Sequence, residues 1–297
     1  MVYRTDRTLR RRVTVLFFVL MPWVLQNPLL VCADESAPAP LRRLTMLFFG
    51  DVMVERRLDP LIEQVGFSTL FAQIDPLLDG RKLDRFDLVS VNLEGAVTTG
   101  GRHYPPVYPY DFAFPPERVA ALRDHGVSFF SIANNHLFDQ GDTGIRETRR
   151  YLSDLDVLFA GSEDRVIDAH SVTLFERHGV SVAMVSVSEV YGPIDRARLR
   201  ELLRSVEEDA DVTVVNVHWG VEYEHVPRKG QRDLAIIMAR SGADVIVGHH
   251  PHVIQGVEII EGVPVFYSLG NFIFDQAFSR EVTEGYAVSV SVDLPAG

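Results

Sequence analysis

One short β-rich run after another in this chain ends on a residue able to bind a cation. TMLFFG at 45–50 runs into Asp51, LVSVN at 88–92 into Glu94, and VSFFSI at 127–132 into Asn134, Asn135 and His136. VTVVNV at 212–217 leads to His218, and the run closing at Gly248 leads to His249, His250, Pro251 and His252. The run at 263–268 gives onto Asn271 and Asp275, and 180–187 and 286–293 are further strand candidates. Between the runs, apolar residues fall at helical spacing. Leu234, Ile237 and Met238 are closed by Gly242; Ile145, Thr148, Leu152 and Leu155 form a second stripe, and 115–125 and 195–208 two more. This alternation predicts an α/β domain covered by helices on both faces. Residues 171–187 and 256–268 read as hairpins, the second turning at Glu261-Gly262, so the sheet is expected to be mixed, or doubled into two packed sheets. In such folds ligand sites lie where loops converge outside the carboxyl ends of strands.

Each of these polar residues has an ordinary explanation alone: Asp51 as a helix cap, Asn135 as a turn residue, His218 as a satisfied core imidazole. Their repetition at strand ends is what points to a site. The donor set is His, Asp, Glu and Asn. The single cysteine, Cys32, lies near the N-terminus, outside the regular pattern. Imidazole and carboxylate without thiolate suit a divalent ion such as Mn, Fe or Zn. Donors beyond the needs of one ion suggest a two-metal centre. His250 and His252 straddle Pro251 and can face a common centre, which leaves His249 to packing or to an outer shell. His103, His125, His170, His178 and His225 show no such clustering.

The first residues follow another pattern. Met1–Arg12 holds five arginines and one aspartate, 13–25 is almost wholly apolar, and Val31-Cys32-Ala33 ends in small residues. This is the make-up of an export signal, and its apolar core is shorter than the roughly 20 residues that span a bilayer. Residues 1–33 are therefore expected to be a signal peptide or N-terminal anchor, 34–43 a linker, and 44–297 one domain. That places the protein in the periplasm or at the cell surface, free or held by the N-terminal segment. Removing 1–33 moves the formal charge from −12 to −16, which argues against nucleic acid as a partner. The Gly/Pro/Tyr-rich stretch 98–116 reads as a solvated crossover or a binding loop. Nucleophile-elbow, P-loop and dinucleotide motifs are missing from the sequence.

Six ordered motifs carry a family resemblance: Gly50-Asp51-Val52-Met53, Asn92-Leu93-Glu94-Gly95, Ala133-Asn134-Asn135-His136 with Asp139, His218-Trp219-Gly220, Gly248 to Gln255, and Tyr267 to Asp275. Together they resemble the CapA-type poly-γ-glutamate capsule biosynthesis family, which is similar to calcineurin-like metallophosphoesterases. The resemblance implies a four-layer αββα sandwich. It implies metal ligation by Asp51, Glu94, Asn135, His218, His250 and His252, and an acid at His136 oriented by Asp139. Glu222 and Asn271, together with the basic pair Arg228-Lys229, are assigned to substrate. The implied activity is that of a metal-dependent hydrolase or transferase on an anionic envelope polymer or phosphoester, with membrane synthesis proteins as partners. The alternative is a non-catalytic polymer-binding or assembly factor. Met53 stands where phosphoesterases place a histidine, which leaves a single-metal site open.

Overall fold

The computed structural model describes residues 2–3, 12–19, 41–71, 74, 83–100 and 111–295, the first two stretches through their backbone alone. Along the chain the elements are β1 (Val2–Tyr3), β2 (Arg12–Val19), β3 (Leu41–Val52), α1 (Leu58–Val65), β4 (Leu88–Leu93), β5 (Ala96–Val97), β6 (Ala113–Phe114), α2 (Pro116–Asp124), β7 (Phe129–Ser131), α3 (Gly141–Asp154), β8 (Leu158–Ala160), β9 (Val172–Arg177), β10 (Val180–Glu189), α4 (Arg196–Asp209), β11 (Val212–Trp219), α5 (Lys229–Arg240), β12 (Val245–His249), β13 (Val257–Ile260), β14 (Val263–Phe266), β15 (Asn271–Ile273) and β16 (Tyr286–Pro295). Among the described residues, one sheet runs β1-β2-β16-β3-β4-β7-β8, with β15 alongside β3. The other runs β13-β14-β12-β11-β10-β9. Both are mixed: β3, β4, β7 and β8 are mutually parallel, as are β10, β11, β12 and β14, while β9, β13 and β16 pair antiparallel.

Alternation along the strands explains the layers. In β3, Leu44, Met46 and Phe48 point into a core between the sheets, while Leu47 and Phe49 point into a second core. That second core is shared with Leu58 and Ile62 of α1, Val119 and Leu122 of α2, and Ile145 and Leu152 of α3. In β11, Val212 and Val214 join the inter-sheet core, and Val215 and Val217 join a third core. Leu199 and Leu203 of α4 and Leu234 and Met238 of α5 close that third core. Three apolar cores between four layers of secondary structure, two of helices and two of strands, make an αββα sandwich, as period-2 side-chain alternation requires when both faces are buried.

Both expected hairpins form. β9 and β10 turn at His178-Gly179 (φ 54° and 74°), and β13 and β14 at Glu261-Gly262 (φ 51° and 84°). Two successive positive φ values give the turn whose twist suits a tight hairpin. At Gly50 and Gly248 a Cβ would collide with the backbone carbonyls of Gly270 and Tyr267. These glycines let the β14–β15 connection press against both strand ends that carry the candidate ligands.

The structure departs from the sequence reading in several places. β5, β6, β8 and β15, of two or three residues each, are too short to show a period. On α5 the buried stripe is Leu234, Ala235 and Met238, with Ile237 only partly covered. Arg12–Val19, within the segment expected to direct export, is a strand antiparallel to β16. Most of residues 1–33, the linker up to residue 40, Cys32, His103 and the middle of the 98–116 loop lie outside the described residues. No described helix is long and apolar enough to cross a membrane.

Candidate metal centre

The carboxyl ends of the parallel strands in both sheets converge. Asp51, near the carboxyl end of β3 and just past a register shift, lies opposite Asn92 of β4; His218 of β11 lies opposite His249 of β12. Glu94 follows β4, Asn134 to His136 follow β7, and His250 and His252 follow β12. Asp51, Glu94 and His218 each offer a ligand atom within 4.8 Å of the other two, and Glu222, His250 and His252 form a second such group. His252 joins the groups, with Nδ1 3.2 Å from Asp51 Oδ2 and Nε2 3.4 Å from Glu94 Oε1. His218 Nε2 lies 2.8 Å from Asn135 Oδ1, and the His218 and His250 rings are 4.8 Å apart.

A polar scaffold holds these groups in place. One amide, Asn92 Nδ2, lies 2.8 Å from Asp51 Oδ1, 3.2 Å from Glu94 Oε2 and 3.2 Å from His218 Nδ1. Asn134 donates to the Leu93 carbonyl at 2.8 Å and accepts from the His136 backbone N–H at 3.0 Å, which fixes the turn bearing Asn135 and His136. Arg56, Tyr223, His250 and His252 all have positive φ (61°, 64°, 96° and 57°). Left-handed backbone at non-glycine residues is strained, and such strain collects at functional sites.

The residues fit a divalent cation. Glu94 Oε1, His250 Nδ1 and both ring nitrogens of His249 are buried and make no hydrogen bond. Buried polar atoms without partners are rare and call for an explanation. Here they surround carboxylate and imidazole donors of the type that borderline and hard divalent ions take. Burial, then the charge near His252, pushes the His250 imidazole down to about 3. Burial likewise holds His218 well below its ordinary value, so both present the neutral form that binds metal. Burial opposes charge on His252, but Glu94 and Asp51 outweigh it and raise that imidazole to about 9. Burial would also raise Asp51, yet the imidazoles of His249 and His252, 3.4 and 3.2 Å from its carboxylate, hold it well below the carboxylate range. Glu94, pushed up by burial and by Asp51 despite His252, lies well above that range.

Over this cluster lies a cleft of about 140 Å³ lined by Arg56, Phe112, Asn135, His136, Asp139, Tyr191, Glu222, Tyr223, His252, Phe274 and Gln276. His136 Nδ1 is 2.7 Å from Asp139 Oδ2, and its Nε2 is 4.0 Å from Glu94 Oε1. The far end of the 98–116 loop forms one wall, where the Phe112 ring sits 4.2 Å from that of His136 and its N–H donates to Asp139. The next N–H, of Ala113, donates to Glu55.

Burial raises the Glu55 carboxyl to about 7, against the pull of the Ala113 N–H and Arg56. A raised carboxyl favours the folded state below the unfolded value of 4.5 and withdraws that stability as pH climbs through about 7. Glu55→Gln, which keeps an acceptor for Ala113, is therefore expected to raise the melting temperature at pH 8. Allowing for solvent screening, the gain is about 1 kcal/mol, and it should vanish at pH 4. Thermal melts at the two pH values check this.

Three of the residues assigned to substrate do not line this cleft. Arg228 pairs with Glu224 and Lys229 with Asp233, each at i, i+4 spacing on the solvent side of the loop and helix, and neither lines the cleft. Asn271 is buried with its polar atoms engaged. Its Oδ1 lies 3.0 Å from His252 Nδ1, and its Nδ2 donates to Gln276 and to the Val282 carbonyl, so it orients an imidazole. Glu222 does line the cleft, within ligand range of His250 and His252. Arg56, Tyr191 and Gln276 escaped the sequence reading, and Tyr223 and Phe274, though they fall within or beside its motifs, were given no role. Met53 is itself fully buried in the core beneath α1, so no imidazole comes from that position.

Residues 45–276 match the family model described as bacterial capsule synthesis protein PGA_cap. The chain is 31% identical over 251 residues to the PGA biosynthesis protein CapA of Bacillus subtilis (strain 168), covering 80% of this chain and 65% of that one. It is 30% identical over 269 residues to the capsule biosynthesis protein CapA of Bacillus anthracis, covering 82% and 64%. It thus spans just under two thirds of the length of these relatives. A crystal structure of a phosphatase from Mycoplasma pneumoniae superposes with a TM-score of 0.50 at 16% identity, over 78% of this chain and 73% of that one, a likeness of fold alone. The fold is metallophosphoesterase-like, and the match over residues 45–276 together with relatives at 30% identity or above shows that the chain belongs to the PGA_cap family of bacterial capsule synthesis proteins.

Proposed function

We propose that this chain is an exported, metal-dependent hydrolase or transferase that works on an anionic envelope polymer, poly-γ-glutamate, or on a phosphoester of its assembly. The observation that carries the reading is the His136–Asp139 pair standing over a cluster of orphaned buried donors at the floor of an open cleft. Asp51, Glu94, Asn135, His218, Glu222, His250 and His252 are the residues that would hold Mn, Fe or Zn. When bound, such an ion polarises a substrate oxygen and lowers the pKa of water toward about 7.

The protein's own groups supply the rest. His136 Nδ1–H donates a hydrogen bond to Asp139, and Nε2 faces the Glu94 side of the cleft, where the imidazolium form can give its Nε2 proton to a leaving group and return to the neutral ring. Asn271 and Asp51 hold His252 Nδ1 from one side, which turns Nε2 to Glu94. Phe112 and Phe274 pack on the His136 and His252 rings and keep bulk water from them. Export belongs to the same proposal and rests on the basic head and short apolar run of residues 1–33.

One observation favours the non-catalytic alternative: buried Met53 removes an imidazole that phosphoesterase-like centres use. The two readings separate in one assay. Metal-loaded protein is incubated with γ-glutamyl oligomers and, separately, with an aryl phosphate, and the products are followed by mass spectrometry. Cleavage or transfer that needs added metal supports the enzyme; binding of the oligomer with no product in either reaction supports the alternative.

A further inference from the structure

We propose that Arg56 is the anion-reading residue of the cleft, gripping a carboxylate or phosphate of the substrate beside the metal centre. This rests on the reading that the cleft takes an anionic polymer or phosphoester. The cleft needs such a residue. Its lining carries Asp139 and Glu222, with Glu94 and Asp51 beneath, and Arg56 is the one described lining residue with a fixed positive charge. Cations bound at the ligand cluster would attract an anion only at the floor. A substrate with a second anionic group, one repeat or one phosphate away, would meet carboxylates there unless a guanidinium faced it.

The geometry places Arg56 for this task. It lies on the turn after β3, five residues beyond Asp51, and holds φ 61°, a left-handed value that an arginine takes only when the surroundings impose it. Its guanidinium carbon is 5.5 Å from the centre of the Phe112 ring, which in turn lies 4.2 Å from the His136 ring and meets Phe274 edge-on at 6.1 Å. The charge therefore sits one aromatic layer from the proposed acid, fixed by cation–π contact. Asp275 is its ion-pair partner: its Oδ2 is 3.4 Å from Arg56 Nε, a charge contact without a hydrogen bond, and its side chain is 2% exposed. An arginine fork backed by a buried carboxylate and stacked on a ring is pre-organised to receive a planar oxyanion through paired N–H groups. A lysine, a point charge on a flexible stem, would not be.

The test uses the full chain loaded with metal, in parent, Arg56→Gln and Arg56→Lys forms. Binding of inorganic phosphate and of a γ-glutamyl pentapeptide is measured by calorimetry at low and at moderate salt, with metal content and melting temperature recorded for each. The expected result is that Arg56→Gln weakens at least one probe by about 10- to 100-fold and flattens its salt dependence with metal content unchanged, while the melting temperature falls because the buried Asp275 carboxylate loses its partner. Arg56→Lys should recover only part of the loss. Parent that binds phosphate but not the peptide, with the phosphate lost in Arg56→Gln, upholds Arg56 and overturns the polymer reading. Equal binding by parent and Arg56→Gln, a parent that binds neither probe, or loss of metal along with binding would each overturn the proposal.

Discussion

Glu94→Gln is expected to lower divalent-cation affinity by at least about 100-fold while leaving the metal-free protein as stable as the parent or more so. The two halves come from one cause. Glu94 is wholly buried, its Oε1 has no hydrogen-bond partner, and burial with nearby Asp51 raises its carboxyl well above the ordinary range despite His252. An ionised carboxylate there costs stability in the absence of a cation, and a raised carboxyl loses folded-state stability as pH rises. The amide keeps the shape, and its oxygen can still accept from Asn92, so removing the charge relieves the cost. The same charge is what a divalent ion between the two ligand groups would neutralise. Titration of chelator-stripped protein with Mn or Zn, beside melting curves without metal, reads both effects. A residue kept for packing would give the opposite pattern: lower stability and unaltered affinity.

His136→Ala is expected to reduce turnover by about 10² to 10⁴-fold with metal content unchanged, the range for loss of a general acid. His136 contacts Asp139 at 2.7 Å and reaches Glu94 only at 4.0 Å, outside both groups of clustered ligand atoms, so its loss should not release metal. Asp139→Asn should cost less in rate but shift its pH dependence, because a neutral amide no longer offsets positive charge on the imidazole. Its other contact, the Phe112 N–H, can be kept by the amide oxygen. The check is a single-turnover rate against pH for the parent and both variants, with metal measured in each. Loss of metal in His136→Ala would move His136 into the ligand set and remove the acid from the account.

The ligand residues were legible because strand ends are legible: an apolar run that stops on Asp, Glu or His announces both where a sheet edge lies and what it carries. Asp51, Glu94, His218 and the His250–His252 pair needed no knowledge of which strands pair. Asn271 did. Its place beside His252 depends on β15 aligning with β3, a pairing across some 220 residues that no local pattern records. Arg228 and Lys229 lie away from the cleft for the converse reason. They stand close to His218 in sequence, but the chain turns at Gly220, with φ 89°, and leads them to α5 and its own carboxylates. Arg56 was hidden by a single dihedral, since a turn of ordinary sign after Met53 need not aim it at the cleft. The helix-covered sheet was legible in the alternation of strand and helix patterns and the four layers through the family resemblance, whereas the two- and three-residue strands had no period to show.

The most direct test of the shared centre is a crystal structure of metal-loaded protein with anomalous scattering recorded across the Mn, Fe and Zn edges. The account predicts one or two ions about 2.0–2.3 Å from donor atoms of Asp51, Glu94, His218 and His252, with Asn135, His250 or Glu222 completing the shell. An ion bound elsewhere, or none bound with His249 and His250 still without partners, would contradict it.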